Sequence, residues 1–153
     1  MNEFQRLTMF LKIQIQNFGI LHRHLSGDPS WFENHEQLDE WQKQLSGQCD
    51  DLTEVGMVLG YEELGIKDAI LTFGNELLNI QPRDGRETFT CVREIMRSIS
   101  GMMQAAETEV PASVQNKLQE YEYFWNKEAD YKIAQMLGGM RSGKNPEAED
   151  DDD

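Results

Sequence analysis

From Ser30 to Leu59 the chain repeats apolar residues at intervals of three and four: Leu38, Trp41, Leu45, Cys49, Leu52, Val55 and Leu59. That period fits one face of an α-helix, so the stretch predicts one long helix with a single apolar stripe. Three other segments carry the same signature. Phe4, Leu7, Leu11, Ile15 and Phe18 mark a first helix over about 2–25. Phe89, Val92, Ile95, Met96, Ile99, Met102, Met103 and Ala106 mark a third over about 87–107. Val114, Leu118, Tyr121, Trp125, Ala129, Ile133 and Met136 mark a fourth over about 111–137, which Gly138-Gly139 should end. The Met102-Met103 pair reads as gap-filling core rather than a soft-metal site. The expected class is all-α, a four-helix bundle.

The links agree with that class. Gly27-Asp28-Pro29-Ser30 stops the first helix and starts the second, with Asp28 or Ser30 as the capping candidate. Thr108 to Pro111 is short enough to make the third and fourth helices antiparallel neighbours. Gly60 to Glu87 is a long crossover of the kind that joins parallel neighbours in a bundle. A structureless loop of that length is improbable, so a short extra helix is expected near Lys67 to Leu78, before a turn at Pro82-Arg83-Asp84-Gly85.

At 153 residues the chain is one domain, read as a bundle over 1–138 and a disordered acidic tail over 139–153. The tail sets six acids against Arg141 and Lys144, a net of −4, which leaves −10 of the total −14 on the body. Acid on acid repels phosphate backbones and argues against DNA binding. No apolar run approaches membrane-spanning length, and no signal peptide opens the chain. Cys49 and Cys91 lack metal-type spacing and read as buried reduced thiols of a cytoplasmic protein.

The polar residues beside the second helix's stripe carry the functional signal. His35 and Asp39 are four apart, Asp50 and Glu54 are four apart, and eleven positions separate the pairs. At ~100° per residue all four fall within a sector of roughly 100° that flanks the apolar stripe. Each pair can reach one metal ion, but at ~1.5 Å per residue the pairs stand roughly 16 Å apart and cannot share one. Another element must complete the site. The midpoint lies between Gln44 and Leu45, beside the small residues Ser46 and Gly47. A second copy crossing antiparallel there would bring His35 and Asp39 of one chain to Asp50 and Glu54 of the other, making two equivalent sites. Taken singly, such carboxylates are more often a solvated face. His22, one step of four beyond Phe18, by itself reads as a hydrogen-bonded core histidine. The joint pattern shifts that balance toward a metal site shared between subunits.

His22 and Gly27, followed by His35, Asp39, Asp50 and Glu54 at these spacings, resemble the ferroxidase signature of the Dps family, the ferritin-like mini-ferritins. The resemblance covers residues 1 to about 138. Arg23, a loop longer by one residue, and Val55 after the glutamate mark a divergent branch. The resemblance implies a ferritin-like four-helix bundle with a short helix in its crossover, assembled as a dodecameric homo-oligomer. It implies that His22, His35 and Asp39 of one subunit bind iron, Fe(II), with Asp50 and Glu54 of its partner. Peroxide or dioxygen would oxidise the iron for storage as ferric mineral. Imidazole and carboxylate ligands suit that ion, but they suit zinc as well. A non-catalytic oligomer binding zinc, or a structural protein, is therefore the competing expectation. Glu107 and Glu109, at the corner between the last two helices, read as solvated surface, with the lining of an entry pore in a closed shell, which the resemblance suggests, as the alternative. There is no Glu-x-x-His pair, phosphate-binding glycine loop, Cys-x-x-Cys or nucleophile elbow.

Overall fold

The two long stripes at the N-terminal end form helices α1 (Glu3–Arg23) and α2 (Trp31–Val58), which pack side by side. The computed structural model describes residues 1–141. Next come α3 (Ile66–Phe73) with a 3₁₀ turn at Gly74–Glu76, α4 (Gly85–Glu107) and α5 (Ala112–Lys127). A π turn at Glu128–Lys132 then leads into α6 (Ile133–Arg141). All regular elements among the described residues are helices, so the all-α expectation holds.

Local chemistry sets the boundaries. Asn2 and Gln5 form a reciprocal capping box at the start of α1, at 2.7 and 3.1 Å. Asp84 and Glu87 do the same for α4, at 2.8 and 3.0 Å, which starts that helix two residues before the expected Glu87. Gly60, at φ +88°, closes α2: its N–H reaches the Met57 carbonyl while the Tyr61 N–H reaches Gly56, the two bonds of a Schellman end. The glycine stop expected at Gly138-Gly139 does not operate. Gly138 stays out of the left-handed region and α6 runs on to Arg141. The acidic tail read from the sequence falls almost wholly on 142–153, outside the described residues.

One apolar cluster draws on every long helix: Phe4, Leu11 and Phe18 from α1, Leu38, Trp41, Leu45 and Leu52 from α2, Phe89, Val92 and Met103 from α4, and Leu118 and Trp125 from α5. Met102 packs against the same cluster, as a core methionine should. Buried tryptophans tie α2 to the last helical segments. Trp41 donates to Glu128 at 2.8 Å, and Trp125 donates to Gln48 at 2.7 Å. The crossover is pinned by buried Asn17, whose amide donates to the Glu76 carbonyl at 3.0 Å and accepts from the Leu78 N–H at 2.9 Å. Ala69 and Phe73 seat α3 on α1, with Phe73 edge-on to Phe10.

Phe89 is fully buried against Trp41, at 6.1 Å between ring centres. Phe89→Ala should cost about 3–5 kcal/mol. Urea unfolding should show a lowered midpoint with an unchanged slope.

Candidate metal centre

The loop between α1 and α2 brings two histidines together. Gly27, at φ +65°, turns the chain, and Asp28 holds the turn by accepting from the Ser30 N–H at 3.0 Å and the Asn34 amide at 2.6 Å. Ser30 is the N-cap residue, but its side chain makes no capping bond. The Ser26 N–H reaches the Arg83 carbonyl and the Arg83 N–H reaches the His24 carbonyl, so the loop is stitched to the end of the crossover.

His35, one turn into α2, then lies over His22 near the end of α1, with ring centres 4.3 Å apart. Its Nδ1 stands 3.1 Å from the His22 carbonyl oxygen. A carbonyl only accepts, so Nδ1 carries a proton, and Nε2 is the nitrogen left to offer a lone pair to a metal. On His22, Nδ1 is buried with no hydrogen-bond partner among the described residues. Burial, then the neighbouring His35, pushes the His22 imidazole below its ordinary value; Asp39 pulls it back and Arg23 adds to the depression. His22 is therefore neutral at neutral pH and able to bind a metal.

Asp39 follows one turn after His35. Its Oδ2 pairs with Lys43 at 3.1 Å, near the surface. That carboxylate's bond and charge raise the Lys43 pKa. The other pair lies farther along α2. Asp50 and Glu54 are exposed and line an open groove of about 450 Å³ with Lys12, Cys49, Met57 and Glu63. Lys12 bridges Glu63 at 3.5 Å and approaches the Cys49 thiol at 4.0 Å. Burial still pushes that thiol up, so Cys49 is a protonated side chain of the core rather than a ligand.

The structure thus brings His22 and His35 together with Asp39 near them, and leaves Asp50 and Glu54 apart on the same helix. Among the described residues no group of three or more histidine, cysteine or acidic side chains is close enough to hold an ion within one chain. Asp51, next to Asp50, has a different task. Burial opposes its charge, but Lys117 at 2.8 Å and the Tyr121 hydroxyl at 2.6 Å hold its carboxyl below the ordinary value. It ties α2 to α5, while Asp50 faces outward.

Glu107 is not the solvated residue the sequence suggests. One of its carboxyl oxygens is buried without a donor among the described residues, and Glu122 of α5 faces it. Two carboxylates cannot bond each other, so a proton on one supplies the missing donor. Burial first, then the hydrogen bond and charge of Glu107, pushes Glu122 up to about 7. Glu109 is exposed, yet it accepts the Glu3 N–H at 2.8 Å and so caps α1 from across the molecule.

No family model matches the chain, and no curated protein is detectably similar to it in sequence.

The Glu107–Glu122 pair makes stability depend on pH in a defined direction. The unfolded chain releases the Glu122 proton near the ordinary 4.5, and the folded chain keeps it to about 7. The stabilising contribution is full below the lower value and declines as pH rises through the window. Glu122→Gln should flatten that decline, giving a smaller loss of Tm between pH 5 and pH 8 in paired thermal melts.

Proposed function

We propose that this chain is a divergent mini-ferritin of the Dps type that oxidises and stores iron. The observation that carries the reading is the division of α2's polar flank. The stacked His22–His35 pair with Asp39 lies at one end, and two outward-facing carboxylates, Asp50 and Glu54, lie at the other. Such a flank is half of a site at each end, and an antiparallel copy supplies the missing halves.

The centre of the flank is compatible with that crossing. A methyl group at Gly47 would meet no atom of its own chain within 4 Å, so glycine there is not required by the subunit's own packing. Apolar side chains are left in water at the end of α2, Met57 and Val58, and on α3, Ile66, Ile70 and Leu71, with Val58 87% and Leu71 78% exposed. Exposed apolar groups at this density suit an interface between copies better than a solvated surface. The same reading takes the helices as a ferritin-like four-helix bundle and the assembly as a dodecamer.

Fe(II) is the substrate. Uncharged imidazole nitrogens and carboxylates suit the ferrous ion, and carboxylates hold the harder ferric product, so Asp50 and Glu54 favour oxidation as well as binding. Peroxide, or more slowly dioxygen, takes up the electrons. An acidic body would draw ferrous ions to the protein and repel nucleic acid, so this protein is an iron store that does not bind DNA. No helix among the described residues is long and apolar enough to cross a membrane, and Cys49 and Cys91 are both free thiols. The reading places it in the cytoplasm.

Asp50→Ala with Glu54→Ala removes one half-site without touching the core. The variant should keep a native mass near twelve chains and lose protein-dependent Fe(II) oxidation, to within about tenfold of the buffer rate. An intact assembly that oxidises iron at the wild-type rate would overturn the assignment. Tight zinc binding without any iron oxidation in the wild type would favour the non-catalytic oligomer.

A further inference from the structure

We propose that Trp31 is the positioning residue of the metal site, the side chain that holds His35 in the orientation a divalent cation needs; this inference rests on the metal-site reading above. Trp31 is the first residue of α2, is 42% exposed and stands outside the apolar core cluster. Core packing therefore does not account for it. Its contacts run to the site instead. The indole lies nearly flat on the His35 ring, with ring centres 4.4 Å apart and planes inclined by 16°. The indole N–H donates to the Leu25 carbonyl at 3.0 Å, in the loop whose neighbouring residues are bonded to Arg83.

His35 is consequently held from three directions. Trp31 covers one face, His22 crowds the ring at 4.3 Å, and the His22 carbonyl accepts the Nδ1 proton at 3.1 Å. The atom left over is Nε2, with its lone pair fixed in direction. An imidazole free to rotate must be ordered when it takes a metal, and that lost freedom weakens binding. Partners outside the ligand set that fix ring orientation and tautomer typically change metal affinity by 10–100-fold. In this chain the carbonyl fixes the tautomer, and the indole fixes the plane. The cation class is one that accepts an imidazole nitrogen beside carboxylate oxygens, such as Fe(II), Co(II) or Zn(II).

A purely structural role for Trp31, pinning the loop, predicts a lower Tm with unchanged metal affinity. The two roles separate in a Co(II) titration of the full-length assembled protein, read by the visible absorption of the bound ion. Trp31→Leu keeps apolar bulk and loses the flat face; it should bind Co(II) about 10–100-fold more weakly, with shifted bands. Trp31→Phe restores a ring to stack and should return to within about threefold of wild type. His35→Ala should lose the site. If Trp31→Leu binds as tightly as wild type with the same bands while His35→Ala does not, the role of Trp31 is overturned and the metal reading stands. If His35→Ala binds like wild type, the metal reading falls and takes this inference with it. Should Trp31→Leu fail to assemble, Trp31→Phe still decides. Bound Co(II) should quench the emission more in wild type than in Trp31→Phe, because only the wild type has an indole stacked on His35. Equal quenching in both would overturn the placement of Trp31 at the site.

Discussion

The azimuth of α2 decides almost everything that follows. Leu38, Trp41, Leu45, Cys49 and Leu52 must enter the core, and at roughly 1.5–3 kcal/mol for each large apolar side chain buried, no other rotation of the helix competes. Once that stripe is fixed, the flank beside it has no freedom left. His35 is carried over His22, Asp39 comes up beside Lys43, and Asp50 and Glu54 are turned outward. Polar contacts on the opposite flank lock the same rotation. Trp41 reaches Glu128, Gln48 accepts from Trp125, and Asp51 accepts from Lys117 and Tyr121. The site residues are placed by the packing of others.

That arrangement divides seven neighbouring polar groups by task. Asp51 and the side-chain oxygen of Gln48 are bonded within the subunit and hold α2 to α5. His22, His35, Asp50 and Glu54 are left open there. Among the described residues His22 keeps a buried nitrogen without a partner, His35 bonds only through Nδ1, and the two carboxylates form no ion pair. Asp39 is intermediate, since its bond to Lys43 joins two partly exposed groups and is worth little against a divalent ion. Potential ligands left open along one flank are what a shared site looks like from one side.

Much of this was legible in the sequence, because a helix turns period into direction. The four residues of α2 were readable as one flank from spacing alone, and the helix bounds lie within two residues for α1, α2 and α4. Trp31 and Lys43 escaped notice, although the signal was present: Trp31 is four before His35 and Lys43 is four after Asp39, so each had to be a neighbour. The π turn was also written in the pattern. Tyr121, Trp125, Ala129 and Ile133 are three successive steps of four, which overshoot an α-helical face by ~120° unless the helix widens. The Glu107–Glu122 meeting could not be read that way. Pairing outward from the short link sets Glu107 near Gln115, which does bond its carbonyl at 2.9 Å. Side chains lean toward the N-terminus of their own helix, so Glu107 leans away from the link and Glu122 leans toward it, and they converge from different levels.

The central claim is that each site is built from two chains, and mixing two inactive variants tests it most directly. One variant carries His22→Ala and His35→Ala, the other Asp50→Ala and Glu54→Ala, and the two are co-assembled in equal amounts. In a mixed pair one of the two sites loses both halves, and the other keeps every ligand. Random pairing should therefore restore about a quarter of the wild-type rate of Fe(II) oxidation, although neither parent has any. Co-assembled particles that stay at the level of the parents would contradict the shared site.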